Sequence, residues 1–319
     1  MKILVTGSAG HLGEALMRTL QAGPHEAVGI DVLDSPFTTH RGSIADAAFV
    51  ARCMRGVDAV LHTATLHKPH VATHARQAFV DVNVTGTLAL LDAAAAEGVK
   101  AFVFTSTTST FGMALSPGPG RPAAWITEDV VPVPKNIYGV TKVAAEDLCE
   151  LAWRLHRLPT VVLRTSRFFP EPDDDAGRRE AYADDNLKVA ELLYRRVDIA
   201  DVVDAHLRAI DHAPAAGHAR YVVSATTPFG PDDLAALGRD LPGLLWPRMP
   251  DAEAEFARRG WRLLPALDRV YVNDRARAAL GWQPRYDFAA AIDALRRGDD
   301  FRSPLAREVG AKGYHRASG

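Results

Sequence analysis

Cysteine is nearly absent from this chain: Cys53 and Cys149 are the two there are among 319 residues. Two isolated thiols give no disulfide framework and no Cys/His spacing suited to zinc, so a reducing compartment is expected. An excess of charge of either sign is also missing, with 37 Lys and Arg against 39 Asp and Glu and no basic cluster. Such a chain carries no electrostatic footprint for nucleic acid or an anionic membrane surface. No run approaches the roughly 18 apolar residues of a membrane helix. The opening Met1-Lys2-Ile3-Leu4-Val5-Thr6-Gly7 reads as a short strand entering a glycine loop, too short for the apolar region of a signal peptide, so a cytoplasmic location is expected. Internal repeats and low-complexity tracts are lacking as well. What remains is a chain of ordinary core composition, 47% hydrophobic, with small-molecule chemistry as its expected business.

Short apolar runs at 3–5, 27–30, 59–61, 102–104 and 161–163 alternate with helical patterns at about 12–20, 47–54, 79–97 and 140–155. Strands apolar throughout, each followed by a helix, predict an α/β fold with a doubly wound parallel sheet covered on both faces. Beyond Arg164 the pattern loosens, with loop punctuation at 171–175 and 228–231, helical stretches at 201–210 and 232–237, and one more strand at 221–223. A Rossmann domain over 1–165 plus 196–225, with a smaller irregular lobe from 166–195 plus 226–319, is the expected division. The acidic run at 173–175 reads as a solvated loop balanced by Arg178 and Arg179.

Gly7-Ser8-Ala9-Gly10-His11-Leu12-Gly13 follows the first strand and opens the first helix. The first glycine permits a tight turn, the second lets backbone approach a pyrophosphate, and the third lets helix pack on strand, while helix N-terminal amides hold the phosphates. Asp31 ends the second strand about 20 residues on, where a carboxylate accepts from the adenosine ribose hydroxyls and repels a 2′-phosphate. No Lys or Arg follows it directly, so NAD is expected over NADP.

Tyr138-Gly139-Val140-Thr141-Lys142 sets a phenol and an ammonium four residues apart on one helix face. A phenol with a pKa of about 10 is a poor acid-base group near neutrality; a Lys142 ammonium and a cationic nicotinamide ring would both move it toward the working range. Upstream, the hydroxyl-rich run from Thr105 to Gly112 sits at the carboxyl end of the fourth predicted strand, where open α/β sheets bind ligands.

Taken in order, the glycine loop, Asp58-Ala59-Val60-Leu61-His62-Thr63-Ala64, Asn83-Val84-Thr85-Gly86-Thr87, the loop from Ser106 to Gly112 and Tyr138 to Lys142 resemble the extended short-chain dehydrogenases/reductases, in their NAD-dependent epimerase/dehydratase branch. The resemblance covers residues 1–170 well, and 197–205 and Leu280-Gly281-Trp282-Gln283-Pro284 more loosely. It implies Thr107, Tyr138 and Lys142 as the catalytic set, Asn83 on the nicotinamide side and Ala64 near the cofactor. Ser43, followed by Ile44, replaces an Asp that often reads adenine in the family. The implied chemistry is removal of a hydroxyl proton by Tyr138 with hydride transfer to NAD. Thr108 and Ser109 stand where 4,6-dehydratases carry an Asp-Glu pair, so that reaction is not expected. The helices at 79–97 and 140–155 correspond to those forming a four-helix dimer interface in many relatives, which implies a homodimer.

The substrate expected is a sugar or a sugar-derived alcohol or ketone. Only 24 residues, 171–194, separate Phe168-Phe169-Pro170 from Arg195, short for a segment that encloses a nucleotide in the family's nucleotide-sugar enzymes. A substrate smaller than a nucleotide sugar is therefore expected, with Arg167 and Arg195 as anion contacts, at least one of them an ion-pair partner of the acidic run. His67, Lys68, Thr107 and Thr108 are expected to line its mouth. His67, His70 and His74 lack a carboxylate to complete a ligand set, so no metal is expected. An epimerase and a simple dehydrogenase of a small polyol or sugar acid stay open, and the intact Thr107, Tyr138 and Lys142 argue against a non-catalytic NAD-binding regulator.

Overall fold

The computed structural model describes residues 1–173 and 175–313. Its centre is a parallel sheet of β1 (Lys2–Thr6), β2 (Glu26–Asp31), β3 (His40–Arg41), β4 (Ala59–His62), β5 (Ala101–Thr107), β7 (Thr160–Thr165) and β8 (His218–Val223), in the order β3-β2-β1-β4-β5-β7-β8. A separate two-stranded parallel ribbon joins β6 (Ala124–Ile126) to β9 (Arg269–Tyr271). The two-residue β3 was not anticipated; it pairs with the end of β2 as Ile30 to His40 and Asp31 to Arg41.

Alternation along each strand feeds two cores, because successive side chains leave opposite faces of a sheet. Ile3, Val5, Ala59, Leu61, Val103 and Leu163 enter the core shared with helices His11–Gln21 and Ile199–Ala216. Leu4, Val60, Phe102, Phe104 and Val162 enter the other, beneath Ala47–Met54, Arg76–Ala96 and Ile137–His156. Helix Arg76–Ala96 is long and apolar enough to cross a bilayer by length and composition, yet it packs Phe79, Leu90, Leu91 and Ala94 into the protein interior. One π-helical stretch, Val80–Thr85, interrupts it and carries Asn83.

The lobe has its own core, built on Phe256, Phe288, Leu193, Leu241 and Val270 among others. Not all of the C-terminal stretch belongs there. Ala276, Leu280, Trp282 and Val309 lie in the sheet's core, so helices Asp274–Leu280 and Pro304–Val309 return to the larger domain. The fully buried Trp282 donates through Nε1 to the Asp201 carbonyl at 3.0 Å, while the Asp201 carboxylate accepts from the amides of Arg285 and Tyr286 at 2.9 and 3.0 Å. That pairing fastens the Leu280–Pro284 motif to helix Ile199–Ala216.

The strand order reverses between β1 and β4, and chains leaving the carboxyl ends of these neighbours turn apart to open a cleft.

Candidate active site

A continuous cavity of about 840 Å³ runs along that edge. Gly7 starts it with φ at +72°, and a Cβ there would lie 2.8 Å from the Ala64 backbone. At Gly13 a Cβ would meet the Gly7 carbonyl oxygen at 1.9 Å, so helix and loop approach as closely as a glycine allows. Gly10 caps helix His11–Gln21 and, as a glycine, brings no side chain of its own over the helix start. A helix N-terminus opening onto a cleft suits an anion such as a pyrophosphate. Asp31 is held from both sides, Oδ2 accepting from the Ala9 amide at 3.0 Å and Oδ1 from the Leu33 amide at 2.9 Å. Gly7, Gly10, His11, Leu12, Gly13, Asp31, Ser43, Ile44 and Ala64 all line the cavity. These residues fit the dinucleotide expected of them.

Asn83 is placed differently. It is 2% exposed and lies behind the cavity wall, where Oδ1 accepts from the Leu66 amide at 2.8 Å and Nδ2 donates to the Leu66 carbonyl at 2.9 Å and to Thr141 Oγ1 at 3.0 Å. It braces the loop after β4 against the helix that carries Tyr138. A file of buried polar groups extends from it. Thr6 Oγ1 accepts from the amides of Thr63 and Ala64, both at 3.1 Å, and so directs its own hydrogen to His62 Nδ1 at 2.7 Å. His62 Nε2 then donates to Thr87 Oγ1 at 2.9 Å, and Thr87 donates to the Asn83 carbonyl at 2.7 Å. Burial keeps His62 neutral, its pKa well below the ordinary value.

Tyr138 stands in the first turn of helix Ile137–His156, fixed by the Asn136 side chain, which accepts from the Gly139 amide at 3.1 Å. Burial pushes its phenol up to about 12, and a hydrogen bond with the Thr107 hydroxyl opposes that rise. Thr107 also accepts from the Ser109 amide at 3.1 Å, which orients its Oγ1. Lys142 departs from expectation: its Nζ donates to the Thr105 carbonyl at 2.6 Å and lies 4.0 Å from the Phe104 ring centroid, away from the cavity wall. Burial pulls the ammonium down to about 7, with Glu146 working against that. The phenol is therefore held protonated, and its activation falls to the charge of the oxidised nicotinamide ring when that is present.

One turn beyond Lys142, buried Glu146 accepts from Ser106 Oγ at 2.5 Å and from Arg164 Nη2 at 2.7 Å. Arg164 in turn lies 5.0 Å from the Phe111 ring. This compensated pair clamps the Thr107 strand to the Tyr138 helix; no local motif announced it.

At the other end of the cavity, His67 stacks on Phe169 at 5.4 Å and meets His70 edge-on at 4.4 Å. Among the described residues no group of three or more His, Cys, Asp or Glu is arranged to hold a metal ion. His67, Lys68, Thr107, Thr108, Arg167 and Arg195 all line the cavity. The two arginines are already engaged. Arg167 pairs with Asp173, and Arg195 Nη2 lies 3.2 Å from Asp173 and 2.5 Å from Glu191, which also takes Arg196 at 2.8 Å. Burial would raise the Asp173 carboxyl, but Arg167 and Arg195 hold it down at about 2. With Asp173 and Glu191 shared among Arg167, Arg195 and Arg196, these guanidiniums form an ion-paired cluster and not an open clamp.

Glu171, Asp268, Arg269, Tyr271 and Lys312 also line the cavity and were not anticipated. Tyr271 is buried against Phe111, its ring 5.9 Å away, and hydrogen-bonds Thr108 and Arg269. Each arrives from the lobe or the C-terminal segment through tertiary packing, with no local pattern to mark it.

A family model described as "NAD dependent epimerase/dehydratase family" matches residues 3–224. The UDP-glucose 4-epimerase of Streptomyces lividans is 29% identical over 92% of this chain and 94% of its own length. The dTDP-glucose 4,6-dehydratase of Streptomyces antibioticus is 32% identical over 92% and 90%. Among solved structures, a short-chain dehydrogenase/reductase superfamily protein from Agrobacterium tumefaciens with bound NAD aligns with a TM-score of 0.65 and 26% identity, over 97% of this chain and 99% of that one.

Proposed function

Because the chain belongs to the NAD dependent epimerase/dehydratase family and is an NAD-dependent enzyme, we propose that it exchanges a proton and a hydride with a sugar, sugar acid or sugar-derived alcohol that carries no nucleotide. One observation carries the reading: the Tyr138 phenol and Thr107 hydroxyl are hydrogen-bonded to each other on the wall of the cavity that holds the glycine loop and Asp31. Bound NAD supplies the hydride acceptor, and NADH the donor. Thr107 orients the reacting oxygen, and Tyr138 takes its proton on oxidation and returns it on reduction. The polar file from Thr6 to Thr141 keeps the Tyr138 helix in register with the cofactor loop.

Support for a small substrate comes from segment 171–194. Its helices Ala176–Ala181 and Asp184–Glu191 are short, and the second turns Leu187, Val189 and Ala190 into the lobe core. Arg167 and Arg195 keep carboxylate partners in Asp173 and Glu191, so neither stands ready as a clamp for a diphosphate. Thr108 and Ser109 offer no acid for a dehydratase step.

The second reading is a nucleotide-sugar 4-epimerase, favoured by relatives of that name that align with 92% of the chain. The two separate on incubation with NAD and a panel of aldoses, uronic acids, polyols and uridine or thymidine diphosphate sugars. Net NADH formation with a nucleotide-free sugar or sugar acid is the expected result. Saturable micromolar binding of a uridine or thymidine diphosphate, with isomer formed and no net NADH, would overturn it in favour of the epimerase.

A further inference from the structure

The segment after helix Pro304–Val309 crosses the mouth of the glycine loop. Gly310 and Gly313, with φ at +58° and +74°, bracket this short strap and let it turn. Its Lys312 amide donates to Glu171 Oε1 at 2.8 Å, and the same oxygen lies 3.1 Å from His11 Nε2 at the first position of the loop's helix. The Lys312 ammonium pairs with Glu14 Oε2, whose other oxygen accepts from Arg18 Nε at 2.9 Å. Lys312 also lines the cavity together with Gly10, His11 and Glu171.

Two nearly buried carboxylates, Glu14 and Glu171, thus flank the helix N-terminus that would hold a dinucleotide diphosphate. Left alone, they would repel it. Arg18 neutralises Glu14 from the far side, one turn along the helix. Lys312 is the lysine that reaches this part of the cavity wall from the strap, with its side chain still 23% exposed and so able to turn. We infer that Lys312 is a cofactor-binding residue, its ammonium shared between Glu14 and the diphosphate of bound NAD, with the strap held in place by Glu171. A Lys or Arg near a helix N-terminus is unfavourable to the helix dipole by itself. Here Glu14 secures the cation beside the dipole, and a bound diphosphate completes the neutralisation.

The test is calorimetric titration of the full chain with NAD, ADP-ribose and adenosine, none of which requires turnover. Lys312→Met should weaken NAD and ADP-ribose about tenfold, the size of one charge-assisted contact, and leave adenosine unchanged. Lys312→Arg should restore most of the affinity. The Lys312→Met loss should persist in a Glu14→Gln background, where the lysine has no carboxylate to neutralise. Unchanged NAD affinity, an equal loss for adenosine, or a loss that vanishes with Glu14→Gln would each overturn the assignment. Lys312→Gln serves as the neutral variant if Lys312→Met does not fold.

Discussion

Tyr138 needs its hydroxyl and little else that phenylalanine could not supply, since the ring already packs in a site 8% exposed. Tyr138→Phe should lower kcat by ~10²- to 10⁴-fold, the usual worth of a general acid-base group, and leave NAD affinity nearly intact. A variant keeping a third or more of wild-type turnover would remove Tyr138 from the mechanism. The residue itself was legible, because four-residue spacing to Lys142 and a hydroxyl-rich run ahead of it are sequence facts. Where Lys142 points was not legible: the Thr105 carbonyl and the Phe104 ring capture its ammonium, and their positions depend on the strand beside it. Arg167 and Arg195 teach the same lesson. Their place on the cavity wall could be anticipated, but their pairing with Glu191, a residue indistinguishable in sequence from any other acid on a helix, could not.

Among the elements, the buried strands were legible because a parallel strand covered on both faces has no polar side to confuse the pattern. β3 escaped, being two exposed residues that pair only at the end of β2. The return of Asp274–Leu280 and Pro304–Val309 to the main sheet also escaped, since an amphipathic helix does not say which core it faces. Helix Ile199–Ala216 makes a prediction of its own through His206. Its Nδ1 donates to the Val202 carbonyl at 2.7 Å and its Nε2 accepts from Thr105 Oγ1 at 2.8 Å, so the ring is neutral, and burial lowers its pKa to about 4. A depressed histidine lends stability above its unfolded pKa near 6.5, and that stability is lost as pH falls through the folded value; the shift corresponds to about 3 kcal/mol. Asp201 on the same helix runs the other way: burial raises it to about 6, so its stabilisation is present below its unfolded value and lost as pH rises through 6. His206→Asn should therefore flatten the loss of unfolding free energy between pH 6.5 and 4 in denaturant titrations. An unchanged slope would show that other groups carry the acid sensitivity.

For the whole molecule, Val140, Leu151 and Leu155 are 51%, 39% and 66% exposed along helix Ile137–His156, eleven and then four residues apart and so on one face, and Leu88 on the neighbouring helix is 42% exposed. Apolar residues aligned on the outer face of two adjacent helices suit burial against a second copy. We expect a homodimer by light scattering at micromolar concentration, and Leu151→Arg with Leu155→Glu should yield monomer without loss of secondary structure. A wild-type monomer would rule that surface out. The expectation of a dimer came from the resemblance and the Ala-rich stretch at 93–96, and the exposed leucines supply the surface on which to test it. His62 is 1% exposed, sits between the strand that begins the cofactor loop and the helix that carries Asn83, and has its hydrogen fixed on Nε2 by neighbours whose own hydrogens are all assigned. A ring in that position is a natural nuclear-spin reporter: its imidazole proton, shut away from solvent exchange, registers in one resonance what arrives at the glycine loop and what moves at Tyr138.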